Sequence, residues 1–158
     1  MPVVKDIYNW ATATCAAREC CVVEIASKLL RKGVPSEAVD ALTDRLVSEG
    51  FIDHARYARA YASDKFRFER WGRIKIRYSL RHLQIPDELI DSALAEIPEA
   101  DYREALHQFL ESKARTTKAR NDYELYQKLV RAALTRGFEP ECIRRELEQL
   151  IKCYDMDD

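Results

Sequence analysis

Positively charged side chains are concentrated in one stretch of this 158-residue sequence and are its clearest candidates for binding chemistry. Between His54 and Ile85, nine arginines and lysines are opposed only by Asp64 and Glu69, which gives this stretch a net charge of +7 in a chain whose total is −1. Guanidinium and ammonium groups bind phosphates and carboxylates. The residues predicted to contact a partner are Arg56, Arg59, Arg67, Arg70, Arg73, Lys75 and Arg77. The alternative is an ordinary solvated face, paired with acidic helices.

Helical periodicity, at about 100° per residue, predicts that these cations form two outward-facing rows. The first row consists of Arg56, Arg59, Arg67 and Arg70, and the second of Arg73, Arg77 and Arg81. Tyr57, Tyr61 and Phe68 occupy an arc beside the first row, which predicts that they face the core. Cations in the first turn of the second helix oppose the helix dipole, so binding explains them better than stability does.

Sequence motifs of enzymes are absent. The chain has no Gly-rich phosphate loop, no HExxH and no nucleophile elbow. Glu104 and His107 have the ExxH spacing of di-iron bundles, but the required second copy is missing. The five cysteines, at positions 15, 20, 21, 142 and 153, have no CxxC spacing, which favours reduced thiols over disulfides or zinc. We therefore expect a protein that is not an enzyme and has no metal, other cofactor or small-molecule substrate.

The bulk composition is typical of a helical protein that does not enter membranes. No segment approaches the run of about 20 apolar residues that spans a bilayer, and the first ten residues lack the apolar core of a signal peptide. Hydrophobic residues make up 47% of the chain, with only four glycines and five prolines, too few for a loop-rich β fold. We expect a cytoplasmic protein.

One sequence pattern occurs three times and predicts the architecture. Each copy has a helix end, a Gly or Gln, one apolar residue, a turn with proline and a new helix, and the apolar residues are Val34, Ile85 and Phe138. Further apolar residues recur nine positions before and five and twelve positions after each of them, on one helical face. They are Ile25, Ile76 and Leu129, then Val39, Ile90 and Ile143, then Leu46, Ile97 and Leu150.

A further helix precedes each of these helix pairs, at residues 7–16, 54–70 and 102–115, with Asp53 as a predicted N-cap and residues 116–121 as a linker. Gly33 and Gly137 are predicted to take the left-handed conformation after a helix. We thus predict an all-α protein of three tandem three-helix repeats. The repeats cover residues 1–52, residues 53–100, which are basic, and residues 101–158, which end in an acidic tail at Asp155, Asp157 and Asp158.

Two helices joined by a short turn are also typical of helix-turn-helix DNA readers. The reading helix would be the one after the turn, which in the middle repeat covers residues 87–96. That segment contains four acidic residues and no basic one, so phosphates would repel it. A conventional major-groove reader is therefore not expected.

Four segments resemble the sequence pattern of the RecX family, the regulators of the RecA recombinase. The segment DHARYARAY at 53–61 resembles D-x-x-R-[FY]-A-x-x-[FY], and LVSEGFI at 46–52 resembles the L-x-x-x-G-[FLY]-[IL] that precedes it. GRIKIRYSL at 72–80 resembles G-x-x-x-I-x-x-x-L, and EIASKLLRKG at 24–33 resembles the family's early motif. The sequence departs from the pattern at Arg73, where many relatives have proline after the glycine.

The resemblance implies an elongated, curved array of three-helix repeats that lodges in the groove of the RecA–single-stranded-DNA filament. It implies inhibition of RecA ATPase, recombinase and strand-exchange activity, and through it a role in homologous recombination, DNA repair and the SOS response. RecA is then the expected partner, single-stranded DNA a second candidate, and the chain a monomer. Two alternatives stay open: a helical module that binds nucleic acid without RecA, and a purely structural helical adaptor.

Overall fold

A computed structural model describes the backbone of residues 4–156 and the side chains of residues 5–151. Within these residues the chain forms nine α-helices and no strand. The helices are α1 (Val4–Ala17), α2 (Val22–Arg31), α3 (Ser36–Ser48), α4 (His54–Glu69), α5 (Arg73–His82), α6 (Asp87–Ala95), α7 (Glu99–Thr116), α8 (Asp122–Thr135) and α9 (Pro140–Met156). The predicted all-α fold of tandem three-helix repeats is confirmed, with α1–α3, α4–α6 and α7–α9 as the repeats.

The repeated apolar positions are the buried positions of the fold. Val34, Ile85 and Phe138 are each buried directly after a helix–helix turn, and the nine flanking residues predicted at fixed offsets from them are also buried. Apolar burial is the main favourable term in folding, so the pattern written three times specifies the same buried positions around each of the three turns.

The turns between the second and third helix of each repeat share one backbone geometry. Gly33 and Gly137 have φ of 88° and 95°, which confirms the predicted left-handed conformation. In the middle repeat Gln84 takes this position with φ of 60°. In each turn the next amide donates to the carbonyl five residues earlier, for example Val34 to Leu29 at 3.2 Å. This Schellman-type closure satisfies carbonyls that the helix end leaves open.

The first helix of each later repeat begins close to its predicted start. Asp53 caps α4, because its Oδ1 accepts a hydrogen bond from the Arg56 amide at 3.0 Å. The helix α7 begins three residues earlier than predicted, at Glu99, and ends at Thr116. Asn121 then caps α8 by accepting from the Glu124 amide at 2.8 Å, so the linker is confined to residues 117–121.

The helices group into two compact units. One comprises the residues up to Tyr61 together with Leu80–Ala93, and the other comprises Ala62–Ser79 together with the residues from Leu94 onward. The repeats are units of sequence, whereas these units are groups of packed residues. The predicted repeat boundaries after residues 52 and 100 therefore stay predictions.

Each unit has its own core. In the first, α1, α2 and α3 enclose buried aliphatic side chains that include Ile25, Leu29 and Leu46. In the second, the core is aromatic: the Phe138 ring lies 5.4 Å from the Tyr102 ring and 6.2 Å from the Phe109 ring, centroid to centroid. These cores position the first turns of α5 and α9 against α7, where several charged side chains meet.

The side chains that could bind a metal or undergo oxidation are His107 and the cysteines. His107 lies between two carboxylates, 3.1 Å from Glu111 and 3.0 Å from Glu146, rather than in a di-iron arrangement. The described cysteines, at 15, 20, 21 and 142, are free thiols. Burial raises the pKa of Cys15 to about 12, which keeps that thiol protonated and unreactive at neutral pH. In residues 4–156 no helix is long and apolar enough to cross a membrane.

The acidic tail was predicted at Asp155, Asp157 and Asp158. The helix α9 continues through Asp155 to Met156, and Asp157 and Asp158 lie outside the described residues.

Candidate partner-binding surface

The α4–α5 connection, Arg70 to Gly72, carries an exposed cation on a sharply turned backbone. Arg70 has φ of 56°, in the left-handed region. This conformation costs a non-glycine residue roughly 1–2 kcal/mol. The Trp71 amide donates to the Lys65 carbonyl at 3.0 Å, which closes the end of α4. Glycine would adopt this backbone without strain, so the arginine is held here at a conformational cost.

The indole of Trp71 holds two lysines. The ammonium of Lys65 lies 4.8 Å from the ring centroid, and that of Lys75 lies 4.5 Å from it. Both distances are in the range of cation–π interactions, which restrict the orientation of an otherwise flexible lysine. Trp71 thus brings together one cation from α4 and one from α5, and both keep a half-exposed surface.

Two more cations at this corner point into solvent. Arg67, in the last turn of α4, and Arg70 are exposed, and no other described residue forms an ion pair or side-chain hydrogen bond with either of them. We call the set Lys65, Arg67, Arg70, Trp71 and Lys75 the basic corner. Because Arg67 and Arg70 keep their guanidinium groups in water, an anionic partner can bind these two residues without first breaking an ion pair among the described residues.

Arg73, one residue beyond the α4–α5 turn, is directed inward instead. Its side chain is only 21% exposed, and its Nη1 lies 2.7 Å from Glu99 Oε1. Its Nε lies 2.9 Å from Glu139 Oε2, close enough for an ion pair although the N–H is not aligned for a hydrogen bond. The guanidinium also covers the Tyr102 ring at 3.8 Å. The expected outward row on α5 is therefore interrupted at its first member.

The partners of Arg73 join three helices of the second unit. Tyr102 on α7 accepts from the Arg73 amide at 3.1 Å and donates to Glu139, the residue before α9. Burial by itself would lower the pKa of Arg73, but the hydrogen bonds that its guanidinium donates to Glu99 and Tyr102 outweigh burial and hold the pKa above its ordinary value. Arg73 is thus a permanent cation that links α5, α7 and α9.

The remaining predicted residues divide between internal pairing and solvent. Arg56, in the first unit, is paired with Glu19 at 2.5 Å and also donates to the Gly50 carbonyl at 3.3 Å. Arg59, also in the first unit, is exposed, whereas Arg77 on α5 is half-buried. Of the seven predicted residues, the structure places Lys75 over Trp71, leaves Arg67 and Arg70 exposed at the end of α4, and assigns Arg56 and Arg73 to internal ion pairs.

The aromatic residues on α4 differ in where they point. Tyr57 is buried and its hydroxyl donates to Glu24 at 2.8 Å, while the Tyr61 ring stacks on it with centroids 5.8 Å apart. Both rings support the core of the first unit, as expected. The same expectation is wrong for Phe68, which is 78% exposed. Phe68 lies in the last turn of α4, one residue before the helix ends, where its arc no longer faces core side chains.

Two contributors to this surface were missed by sequence reasoning. Trp71 belongs to none of the motifs, although a tryptophan among five nearby cations is a recognisable signal for cation–π contacts. Arg136 lies far outside the basic stretch of the sequence. Its guanidinium donates to the Glu69 carbonyl at 2.8 Å, and its own carbonyl accepts from the Gly72 amide at 2.8 Å. No spacing in the sequence connects residues so far apart.

Comparison with known protein families places both later repeats in one family. Residues 53–94 match the family description "RecX, second three-helix domain", and residues 100–147 match "RecX, third three-helix domain". Together these matches cover more than half of the chain.

Curated proteins with similar sequences carry the same family name. The chain is 35% identical over 117 residues to "Regulatory protein RecX" of Pseudomonas savastanoi pv. phaseolicola, a match that covers 72% of this chain and 74% of that protein. It is 29% identical over 148 residues to the protein of the same name in Prosthecochloris aestuarii, covering 93% and 95% of the two chains. It covers only 52% of the longer Geobacillus kaustophilus protein, at 30% identity.

Solved structures with the same fold include the "Crystal structure of RecX from Lactobacillus salivarius", with a TM-score of 0.80 and 19% identity over 93% of this chain and 96% of that one. A second RecX crystal structure matches with a TM-score of 0.84 and 21% identity, over 92% of this chain and 71% of that one. At these identities the likeness concerns the fold.

Proposed function

Because the chain belongs to the RecX family of regulatory proteins, we propose that it binds the RecA–single-stranded-DNA filament and inhibits RecA ATPase, recombinase and strand-exchange activity. In this role it modulates recombination and DNA repair in the cytoplasm, as a monomer, without catalysis and without a cofactor. The observation that carries the proposal is the basic corner, a group of solvent-facing cations held in place by Trp71.

The geometry of the corner supports binding to an extended anionic partner. Arg67 and Arg70 are exposed and unpaired among the described residues, so a partner gains their charge without displacing an internal acid. Lys65 and Lys75 are oriented by the indole, which reduces the entropy lost when they bind. A filament repeats the same surface many times, so weak contacts from several repeats of this chain add to one strong attachment.

The seven residues differ in whether their side chains are engaged in internal ion pairs or exposed. Arg56 and Arg73 are engaged in ion pairs with Glu19 and with Glu99 and Glu139, and we now expect their substitution to act through stability. Arg67, Arg70 and Lys75 are the proposed contacts of the corner. Arg59 and Arg77 remain proposed contacts because the first is exposed and the second is half-exposed.

The test is a titration of RecA ATPase on single-stranded DNA with this protein and with the double variant Arg67→Gln/Arg70→Gln. We expect the unmodified chain to inhibit hydrolysis and the variant to need at least about tenfold more protein, since it loses two charged contacts. A matched control is Lys5→Gln/Arg18→Gln, which removes the same charge from exposed positions in the first unit. Full activity of RecA in the presence of the unmodified chain would refute the proposal.

A RecA-independent nucleic-acid-binding module is the second candidate, because the corner presents cations that suit phosphates as well as carboxylates. Pull-down of the chain by RecA with and without single-stranded DNA separates the two. Capture that needs RecA supports the filament regulator. Capture by DNA that is unchanged by RecA, with no effect on hydrolysis, supports the module instead.

A further inference from the structure

A second basic feature lies in the third repeat, outside the seven residues predicted to contact a partner. An open groove of about 350 Å³ runs between α7 and α8. Its walls carry Lys113 from α7 and Lys128, Arg131 and Thr135 from α8, and Arg136 closes one end. No carboxylate belongs to the described residues that line it. Of these four cations only Lys128 has a carboxylate partner among the described residues, Glu124, so the other three give the depression a positive potential, which attracts anions.

Two of these cations are available for a ligand. Lys113 and Arg131 are exposed, and in the described part of the chain the ammonium of Lys113 and the guanidinium of Arg131 form no ion pair or hydrogen bond. The other two are fixed by the protein. Lys128 donates to the Lys118 carbonyl at 2.6 Å and lies 3.1 Å from Glu124, and Arg136 is held over the Phe109 ring at 5.4 Å. The groove thus has two cations held in place by the protein and two whose side chains can reorient toward a ligand.

Arg136 connects this groove to the basic corner within the same compact unit. Its guanidinium reaches the Glu69 carbonyl at the end of α4, directly beside Arg70 in the sequence. Its carbonyl accepts from Gly72, at the start of α5. Arg136 therefore brings the groove into direct contact with the end of α4 and the start of α5, the segments that carry the basic corner.

The chemistry of the groove favours a phosphate backbone over an acidic protein surface. Protein interfaces depend on exposed apolar or aromatic anchors, but Phe109 is buried and the rest of the lining is basic, small or hydroxylic. Interfaces with nucleic acid are polar and strongly positive. A connected series of cations matches a polymer that carries one negative charge on every unit.

We propose that the α7–α8 groove binds the phosphodiester backbone of a single-stranded nucleic acid, with Lys113 and Arg131 as its adaptable contacts. The inference depends on the proposed function only for the choice of a single strand as ligand. It adds a direct nucleic-acid contact, made by the third repeat, to a protein whose regulation of a filament does not by itself require one.

The experiment measures fluorescence anisotropy of a labelled oligothymidylate of about 30 nucleotides, longer than the usual site of one small binding module. The unmodified chain, Lys113→Gln/Arg131→Gln and the control Lys5→Gln/Arg18→Gln are titrated in the absence of RecA at several salt concentrations. Each phosphate contact contributes a slope of about 0.7 in log K against log salt. The groove variant lacks two such contacts, so its slope should be smaller by about 1.4. It should bind the oligonucleotide roughly 25-fold more weakly at 0.1 M salt, while the control should bind as the unmodified chain does.

Equal affinity of the groove variant and the unmodified chain for the oligonucleotide would overturn the inference. An equal loss of affinity in the control variant would overturn it as well. So would displacement of the oligonucleotide by polyglutamate as readily as by unlabelled oligothymidylate. Urea unfolding of both variants, whose substituted side chains are exposed, verifies that they are folded. RecA ATPase measured on the same proteins separates the two proposals. Inhibition without oligonucleotide binding leaves the proposed function standing and removes the groove, whereas groove-dependent binding without inhibition does the reverse.

Discussion

Gly72 and Gly137 meet at the crossing of two helix–helix turns, with no room for a side chain between them. A Cβ built on Gly72 would lie 2.3 Å from the carbonyl carbon of Gly137, and one on Gly137 would lie 2.4 Å from the Cβ of Lys75. The Ile74 amide donates to the Gly137 carbonyl at 3.0 Å. This contact sets the α4–α5 turn directly against the α8–α9 turn, and through Arg136 it joins the basic corner to the α7–α8 groove.

The first prediction follows from this contact. Gly72→Ala should destabilise the protein by about 3 kcal/mol or more, because the added methyl meets backbone atoms that cannot rotate away. Gly33→Ala is the matched control: its Cβ meets nothing within 4 Å, so only the cost of its positive φ, about 1–2 kcal/mol, applies. Urea unfolding measures both. Equal losses in the two variants would show that the turns are not in contact.

A second prediction separates stability from function at Arg70. Arg70→Gly should stabilise the fold by about 1 kcal/mol, because it relieves a left-handed arginine, yet it should weaken inhibition of RecA ATPase. Gln84→Gly relieves the same strain at φ of 60° on an exposed residue that belongs to the first unit, and should stabilise without changing inhibition. If both variants inhibit as the unmodified chain does, Arg70 is not a contact.

The third prediction concerns the ion pairs of Arg73. Arg73→Gln should lower the free energy of unfolding by about 2 kcal/mol, since it leaves Glu139 half-buried without its cation and removes a charged hydrogen bond to Glu99. Arg81→Gln, which loses an exposed pair with Asp87 at 2.8 Å, should have no measurable effect. The measurement is again urea unfolding. Loss of RecA inhibition by Arg73→Gln at full stability would return Arg73 to the list of contacts.

The fourth prediction is a pH dependence that originates at His54. Its Nε2 accepts from the Val22 amide at 3.3 Å, and burial lowers the pKa of His54 below the usual 6.5. Below about pH 6.5 the unfolded chain therefore binds a proton that the folded chain does not, so stability should fall as the pH decreases from 7.5 to 5.5. His54→Gln keeps an acceptor but does not titrate.

The urea midpoint at the two pH values tests this. The decrease between pH 7.5 and pH 5.5 should be smaller for His54→Gln than for the unmodified chain, because the histidine contribution is gone. An identical decrease in both proteins would place the pH sensitivity elsewhere.

Local periodicity was enough to predict most of the architecture. Val34, Ile85 and Phe138, with the flanking residues at fixed offsets, are buried as the three-fold pattern required, because helix faces depend only on spacing along the chain. The same reasoning failed at Phe68, since periodicity continues to the last turn of a helix whether or not a core continues beside it. Periodicity also assigned Arg73, Arg77 and Arg81 to one outward row, although Arg73 is directed inward.

The amino-acid sequence by itself determined the all-α repeats, their turns at Gly33 and Gly137 and the concentration of positive charge in the middle repeat, because each of these follows from neighbours within about a dozen residues. Only the tertiary structure decided which cations face solvent. Arg73 turns inward because Glu99 and Glu139 reach it, and Arg136 reaches the Glu69 carbonyl because two glycine turns touch. Coulomb attraction and close packing act through space, so partners 26 to 67 residues apart carry no signature in local spacing.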